Sequence, residues 1–259
     1  MGIVLYLISF LASVGGSICG IGGGIIIKPV LDLFGVANPS VISFLSGCTV
    51  LAMSGYSVLR NMVDKERVVN MKTGTPLAVG AASGGIVGKL LFNIIMQQSS
   101  ERLNITVIQS FCLGIITLVT LIYVLRKDKY RSYQVSKRLP CILIGIALGL
   151  ISSFLGIGGG PFNLAILYLF FGMDTKSAVQ NSLYIIMISQ IASLLYSVFT
   201  GNIPSFDFVH LILMIFGGIS GGIVGRVIHK RISSKAAEKL LISMMTLIIL
   251  ISCFNIFNR

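Results

Sequence analysis

The stretch "CGIGGGIIIK" (residues 19–28) places four glycines and a lysine inside an otherwise apolar run, and "LGIGGGPFN" (residues 155–163) repeats its core. The shared GIGGG segments lie 136 residues apart, and "SGGIVGK" (83–89) recurs as "SGGIVGR" (220–226) at an offset of 137. "LFG" at 33–35 against "FFG" at 170–172 fits the same spacing. Independent matches at one offset identify a tandem duplication. The first repeat covers 1–126, a basic linker "KDKYRSYQVSKR" fills 127–138, and the second repeat covers 139–259.

Composition fixes the solvent of both halves. Hydrophobic residues make up 55% of the 259 residues and charged ones only 11%, with a mean hydropathy of +0.95. Such a chain is a multi-pass membrane protein. The formal net charge of +12 sits almost entirely between apolar runs, where basic residues report orientation rather than nucleic-acid binding. Cys19, Cys48, Cys112, Cys141 and Cys253 show no CxxC spacing, so neither a metal site nor a disulfide framework is expected. The sequence implies no cofactor.

Each half reads as a broken apolar segment followed by three helices, at about 41–59, 73–96 and 105–125, then 177–199, 207–229 and 238–257. The broken segments have arms at 3–19 and 25–34, and at 140–155 and 161–171; the later arms cover about half a bilayer at ~1.5 Å per residue. Each segment either crosses once as a kinked helix or returns to its own side as a hairpin. Single crossings divide the basic residues 11 to 8 across the membrane, whereas hairpins divide them 16 to 3 with Lys28 left inside it. The positive-inside rule selects hairpins. The expected fold is therefore all-α and polytopic, with two inverted-topology repeats. Each has three transmembrane helices and a glycine-tipped re-entrant helical hairpin. Both termini are expected outside the cytoplasmic membrane and the linker inside. Inverted repeats with broken helices are the architecture of secondary transporters, with the substrate site at mid-membrane.

The glycine turns expose backbone groups that hydrocarbon tolerates only where they line a cavity or are buried in protein. The arms that begin at Ile25 and Pro161 present helix N-termini, which favour an anion. Neither turn completes GxGxxG, and Ser83 and Leu90 break the phosphate-loop pattern in "SGGIVGKL", so nucleotide binding is not expected. The substrate-binding candidates are Gly22, Gly23, Gly24, Ile25, Lys28, Gly158, Gly159, Gly160 and Asn163. Ser46, Gln180, Asn181 and Ser182 join them from the helices that follow the hairpins. Lys28 either contacts the anion or pairs with Asp32 at i+4, the one carboxylate near a hairpin arm and the candidate for proton coupling. Gly80, Gly84 and Gly88, like Gly217, Gly221 and Gly225, form small-residue stripes that predict close helix packing, with the hairpins as partners. His210 is expected near the outer interface and His229 in a basic loop. No nucleophile–base pair or catalytic metal set is visible, so the chain does not read as an enzyme.

The paired GIGGG segments, the "KPVLDLFG" continuation and the glycine-rich helices resemble the sulfite exporter TauE/SafE family over essentially the whole chain. Pro29 stands where the family has a proline after the glycines. Pro161 and "VQNSL" at 179–183, which shares only Ser182 with the family's Thr-Ser segment, depart from the pattern. The resemblance implies transport of small sulfur-containing anions such as sulfite, sulfonates or sulfoacetate. Its partners would be that anion and the bilayer, with homo-oligomerisation left open. An anion channel, or a membrane-embedded partner subunit or enzyme, is the alternative.

Overall fold

A computed structural model describes residues 2–64, 70–98 and 102–257. Lys65, Arg67 and Arg259, counted above among the orienting charges, lie outside the described residues. The fold consists of ten α-helices among the described residues: α1 Gly2–Cys19, α2 Gly24–Leu33, α3 Pro39–Val63, α4 Met71–Gln98, α5 Arg102–Arg126, α6 Arg138–Leu155, α7 Pro161–Phe171, α8 Thr175–Phe199, α9 Phe208–Arg231 and α10 Ser234–Phe257. Eight of these are long and apolar enough to cross a membrane; the two short ones are α2 and α7.

Helix direction follows from side-chain neighbours. α1 runs beside α9 in the same sense, from Gly2 against Leu213 to the Ile18 carbonyl, which bonds His229 Nδ1 at 2.7 Å. α2 then turns back along α1: Gly23 lies against Ser13, while Leu31 and Leu5 share the wall of one cavity. The chain therefore returns to the side on which it began, called here the N-terminal face, the opposite side being the linker face. The hairpin arms are unequal: α1 and α6 have 18 residues each and are long enough to span. Only the return arms, 10 and 11 residues long, are half-spans.

α3 runs with α9, Thr49 facing Gly218 and Met53 facing Gly222. α8 runs against α3, with Asn61 bonded to Gln180 at one end and Gly47 against Gln190 further along. α4 runs with α8, Asn181 meeting Asn70 and Ser189 meeting Gly85.

The glycine stripes find their partners across the two halves of the chain. Gly217, Gly221 and Gly225 of α9 abut the carbonyls of Tyr6, Phe10 and Val14 in α1. Gly80, Gly84 and Gly88 of α4 abut those of Ile142, Ile146 and Leu150 in α6. A Cβ would come as close as 2.1 Å to the facing oxygen at Gly84 and 2.7 Å at Gly217, so only glycine admits this approach. Each member of the second set lies 136 or 137 positions from its counterpart in the first. Close backbone contact of this kind is what holds helices together where lipid removes the hydrophobic drive.

Candidate functional site

The two glycine turns have the same local geometry. Gly20 and Gly22 adopt φ of +68° and +76°, and Gly156 and Gly158 adopt +66° and +71°, a left-handed region that side chains rarely occupy. Ile21 N–H donates to Gly16 O at 3.1 Å, and Ile157 N–H donates to Ser152 O at 3.2 Å, again at an offset of 136. The turns meet: a Cβ on Gly24 would lie 2.1 Å from Ile157 O, and one on Gly159 would lie 3.3 Å from Ile21 O. Gly22, Gly23, Gly158 and Gly160 are buried with them.

The return helices start at this junction. Ile26 and Ile27 N–H groups both donate to Gly23 O, and Asn163 N–H donates to Gly160 O. The first N–H groups of α2, those of Gly24 and Ile25, lie ahead of the intrahelical ladder. Ser46 and Ser182 occupy equivalent places. Ser182 Oγ donates to Gly20 O at 2.6 Å, whereas the fully buried Ser46 Oγ, beside Gly24, has no partner among the described residues. Ser13 Oγ beside Gly23 and the Asn163 Oδ1 atom are likewise buried and unpaired among those residues. An unpaired hydroxyl next to a helix N-terminus is an arrangement suited to a small anion.

Lys28 is displaced from the junction toward the N-terminal face. It is 3% exposed and donates to Gln109 Oε1 at 2.7 Å and Ser43 Oγ at 3.1 Å, with Asp32 Oδ2 at 3.9 Å. Its aliphatic stem lies beside Gly156, and Gln109 in turn donates to Phe154 O, so Lys28 joins the first return arm to the turn of the second hairpin. The ammonium has thus replaced water with two neutral acceptors and one longer ion pair. Gln109 escaped the sequence reading; its signal was a lone amide in the apolar stretch "ITVIQSFCLGIITLV".

Gln180 and Asn181 belong to the opposite face. Asn61 Nδ2 donates to Gln180 Oε1, while Asn61 Oδ1 accepts from Arg226 Nε and Nη2 at 3.0 and 2.7 Å. Arg226 also bonds Asp64 Oδ2 at 2.8 Å, and Lys230 reaches the same oxygen at 3.0 Å. Asn181 accepts from Asn70 N–H at 3.2 Å and donates to Ser177 O. This set ties α3, α8 and α9 together at the linker face. His229 is not in a loop as expected: it lies in the last turn of α9, 4% exposed and bonded to Ile18 O. His210 sits 3.5 Å from Asp207 at the N-terminal face.

Comparison with known proteins gives this geometry a context. The family described as Sulfite exporter TauE/SafE matches residues 5–251. The chain is 24% identical to the probable membrane transporter protein YunE of Bacillus subtilis (strain 168), covering 99% of this chain and 97% of that protein. It is 27% identical to the probable membrane transporter protein MJ0441 of Methanocaldococcus jannaschii, covering 77% and 73% respectively. A third relative, the probable membrane transporter protein YdhB of B. subtilis, is 24% identical over 86% of this chain and 88% of its own length. No solved structure matches the chain. A match across nearly the whole of this membrane protein leads to one conclusion: the chain belongs to the sulfite exporter TauE/SafE family, a multi-pass membrane transporter rather than an enzyme.

Proposed function

We propose that the protein is a secondary transporter that moves a small sulfur-containing anion, of the sulfite, sulfonate or sulfoacetate class, by alternating access between two inverted repeats. The observation that carries this reading is the meeting of the two glycine turns, Gly24 on Ile157 O and Gly159 beside Ile21 O. Equivalent helices also run in opposite senses, α3 against α8. A broken-helix junction of this kind is where secondary transporters hold substrate.

In this reading the anion binds at Gly22, Gly23, Gly24 and Ile25 of one turn, at Gly158, Gly159, Gly160 and Asn163 of the other, and at Ser46 and Ser182. Its oxygens accept from the first N–H groups of α2 and from the Ser46 hydroxyl, and buried Lys28 supplies the positive potential. Gln180, tied through Asn61 to Arg226, closes the linker side. Asn181 steadies the same end through Asn70. Releasing the anion there requires that set to open. Asp32, buried near Lys28, is the group assigned to proton coupling. The family resemblance contributes the sulfur class of the anion, which the geometry alone does not select. The N-terminal face is outside the cell membrane and the linker cytoplasmic, following the positive-inside rule.

The test is flux of sulfite, thiosulfate, taurine, isethionate and sulfoacetate into proteoliposomes under an imposed pH gradient. Saturable flux of one anion, lost in Ser46→Ala and driven by the gradient, is expected. Absence of flux for all five would overturn the substrate class, and fast electrodiffusive flux indifferent to the gradient would make the protein a channel.

A further inference from the structure

Arg226 and Lys89 are equivalent residues of the two repeats, yet their surroundings differ. Arg226 is buried against Asn61 and the Asp64 carboxylate. Lys89 is partly buried, and among the described residues no Asp or Glu forms an ion pair with it. Its ammonium lies 5.3 Å from the Phe92 ring centroid and lines a 290 Å³ cavity at the N-terminal face, together with Ser40, Phe92, Asn93 and the 201–204 loop. Asn93 Nδ2, also in that cavity wall, is buried and has no acceptor among the described residues.

A cation with no described carboxylate paired to it and an amide donor with no acceptor among the described residues, both on residues lining one small cavity, form a set short of negative charge and of acceptors. Each unmet group carries a cost that an oxyanion would relieve. Phe92 has a second cation beside it: the ring is 2% exposed and Lys28 Nζ lies 6.0 Å from its centroid, so the cavity lysine and the buried one lie against the same aromatic ring.

We propose that this cavity is a second, peripheral anion site, in which Lys89, Asn93 and Ser40 bind a small oxyanion at the N-terminal face, with Phe92 as the ring shared by Lys89 and Lys28. The identity of the anion rests on the transport reading, whereas the existence of the site does not. Arg226 shows why only one face carries such a site, because its own carboxylate already occupies the equivalent place.

The test uses the purified full-length protein in mild detergent and sodium sulfite in anaerobic buffer as the probe. Acylation of individual lysines by a water-soluble reagent is followed by peptide mapping. Sulfite is expected to slow modification of Lys89 severalfold while leaving exposed Lys72, at the linker face, unchanged. Asn93→Asp, which places a carboxylate beside Lys89 at constant size, is expected to abolish that protection and to weaken sulfite binding at this site about tenfold or more. Lys89→Arg is expected to retain binding. Equal modification of Lys89 with and without sulfite, or undiminished protection in Asn93→Asp, overturns the proposal. If Lys89 is protected in a protein that carries no anion across liposomes, the site stands and the transport reading fails. Flux with no protection has the opposite meaning.

Discussion

Gly84 and Gly55 are both helix-interior glycines, and the same substitution at each should act in opposite directions. A Cβ at Gly84 would lie 2.1 Å from Ile146 O and 2.8 Å from its carbonyl carbon and Cα, all backbone atoms of α6. Ordinary contact needs about 3.5 Å, so α6 would have to recede by roughly 1.4 Å, and the contacts of Gly80 and Gly88 would loosen with it. Overpacking of this kind costs about 1–3 kcal/mol, and backbone against backbone puts Gly84→Ala at the upper end. Better helix propensity returns about 1 kcal/mol, leaving a net loss of about 2 kcal/mol. At Gly55 a Cβ meets nothing within 4 Å, so only the propensity gain remains and Gly55→Ala should be neutral or up to about 1 kcal/mol more stable. The assay is unfolding of the purified protein by SDS titration from mild detergent, followed by far-ultraviolet circular dichroism. Gly221→Ala, whose Cβ would sit 2.4 Å from Phe10 O, should repeat the Gly84 loss. If Gly84→Ala unfolds with or after the parent, or Gly55→Ala loses as much, the close-approach argument is wrong.

Three further outcomes are expected. Lys28→Met strands Asp32 without its partner and should cost about 3 kcal/mol in the same SDS titration, with Asp32→Asn in the same chain recovering most of it; a Lys28→Met protein as stable as the parent would remove the structural role of the pair. The Asp64 carboxyl lies below its ordinary 3.8 because Lys230 and Arg226 donate to it, so its stabilisation is complete above that value and is lost as pH falls further through the folded-state pKa. Asp64→Asn should therefore flatten the acid side of a stability–pH profile, and an unchanged acid limb would contradict the assignment. In a cysteine-free background, Asn202→Cys should react with an impermeant maleimide on whole cells and Ser136→Cys only after permeabilisation; the reverse pattern would invert the proposed orientation.

The helix positions were legible because glycine punctuation and basic residues survive in one dimension. The arms at 3–19, 25–34, 140–155 and 161–171 differ from the helices by two residues at most. The unequal arms, long α1 and α6 followed by short returns, were equally visible. Their packing against α9 and α4 shows how a nearly full-length arm can be followed by a short return. What the sequence could not display were pairings between residues far apart in the chain. Lys28 had a visible neighbour in Asp32, but its shorter bonds go to Ser43 and to Gln109, 81 positions away. Gln180 looked like a lining residue, yet its partner Asn61 lies 119 positions off and leads to Arg226. A polar residue in an apolar helix announces that it has a partner; only the fold says which.

The crossed seating of α1 on α9 and α6 on α4 bears on how the protein is made. Cys19 leaves the ribosome 212 residues before Arg231, the last residue of the helix against which α1 packs. At ~5–20 residues per second, α1 waits on the order of 10–40 s for that groove to exist. During this interval its carbonyl row faces lipid or the insertion machinery, as the glycine edge of α4 does until α6 follows it. Assembly must therefore be largely post-insertional, with neither half able to finish alone. Halves severed within the linker and produced together should re-associate through these two seams, whereas either half produced singly should be degraded.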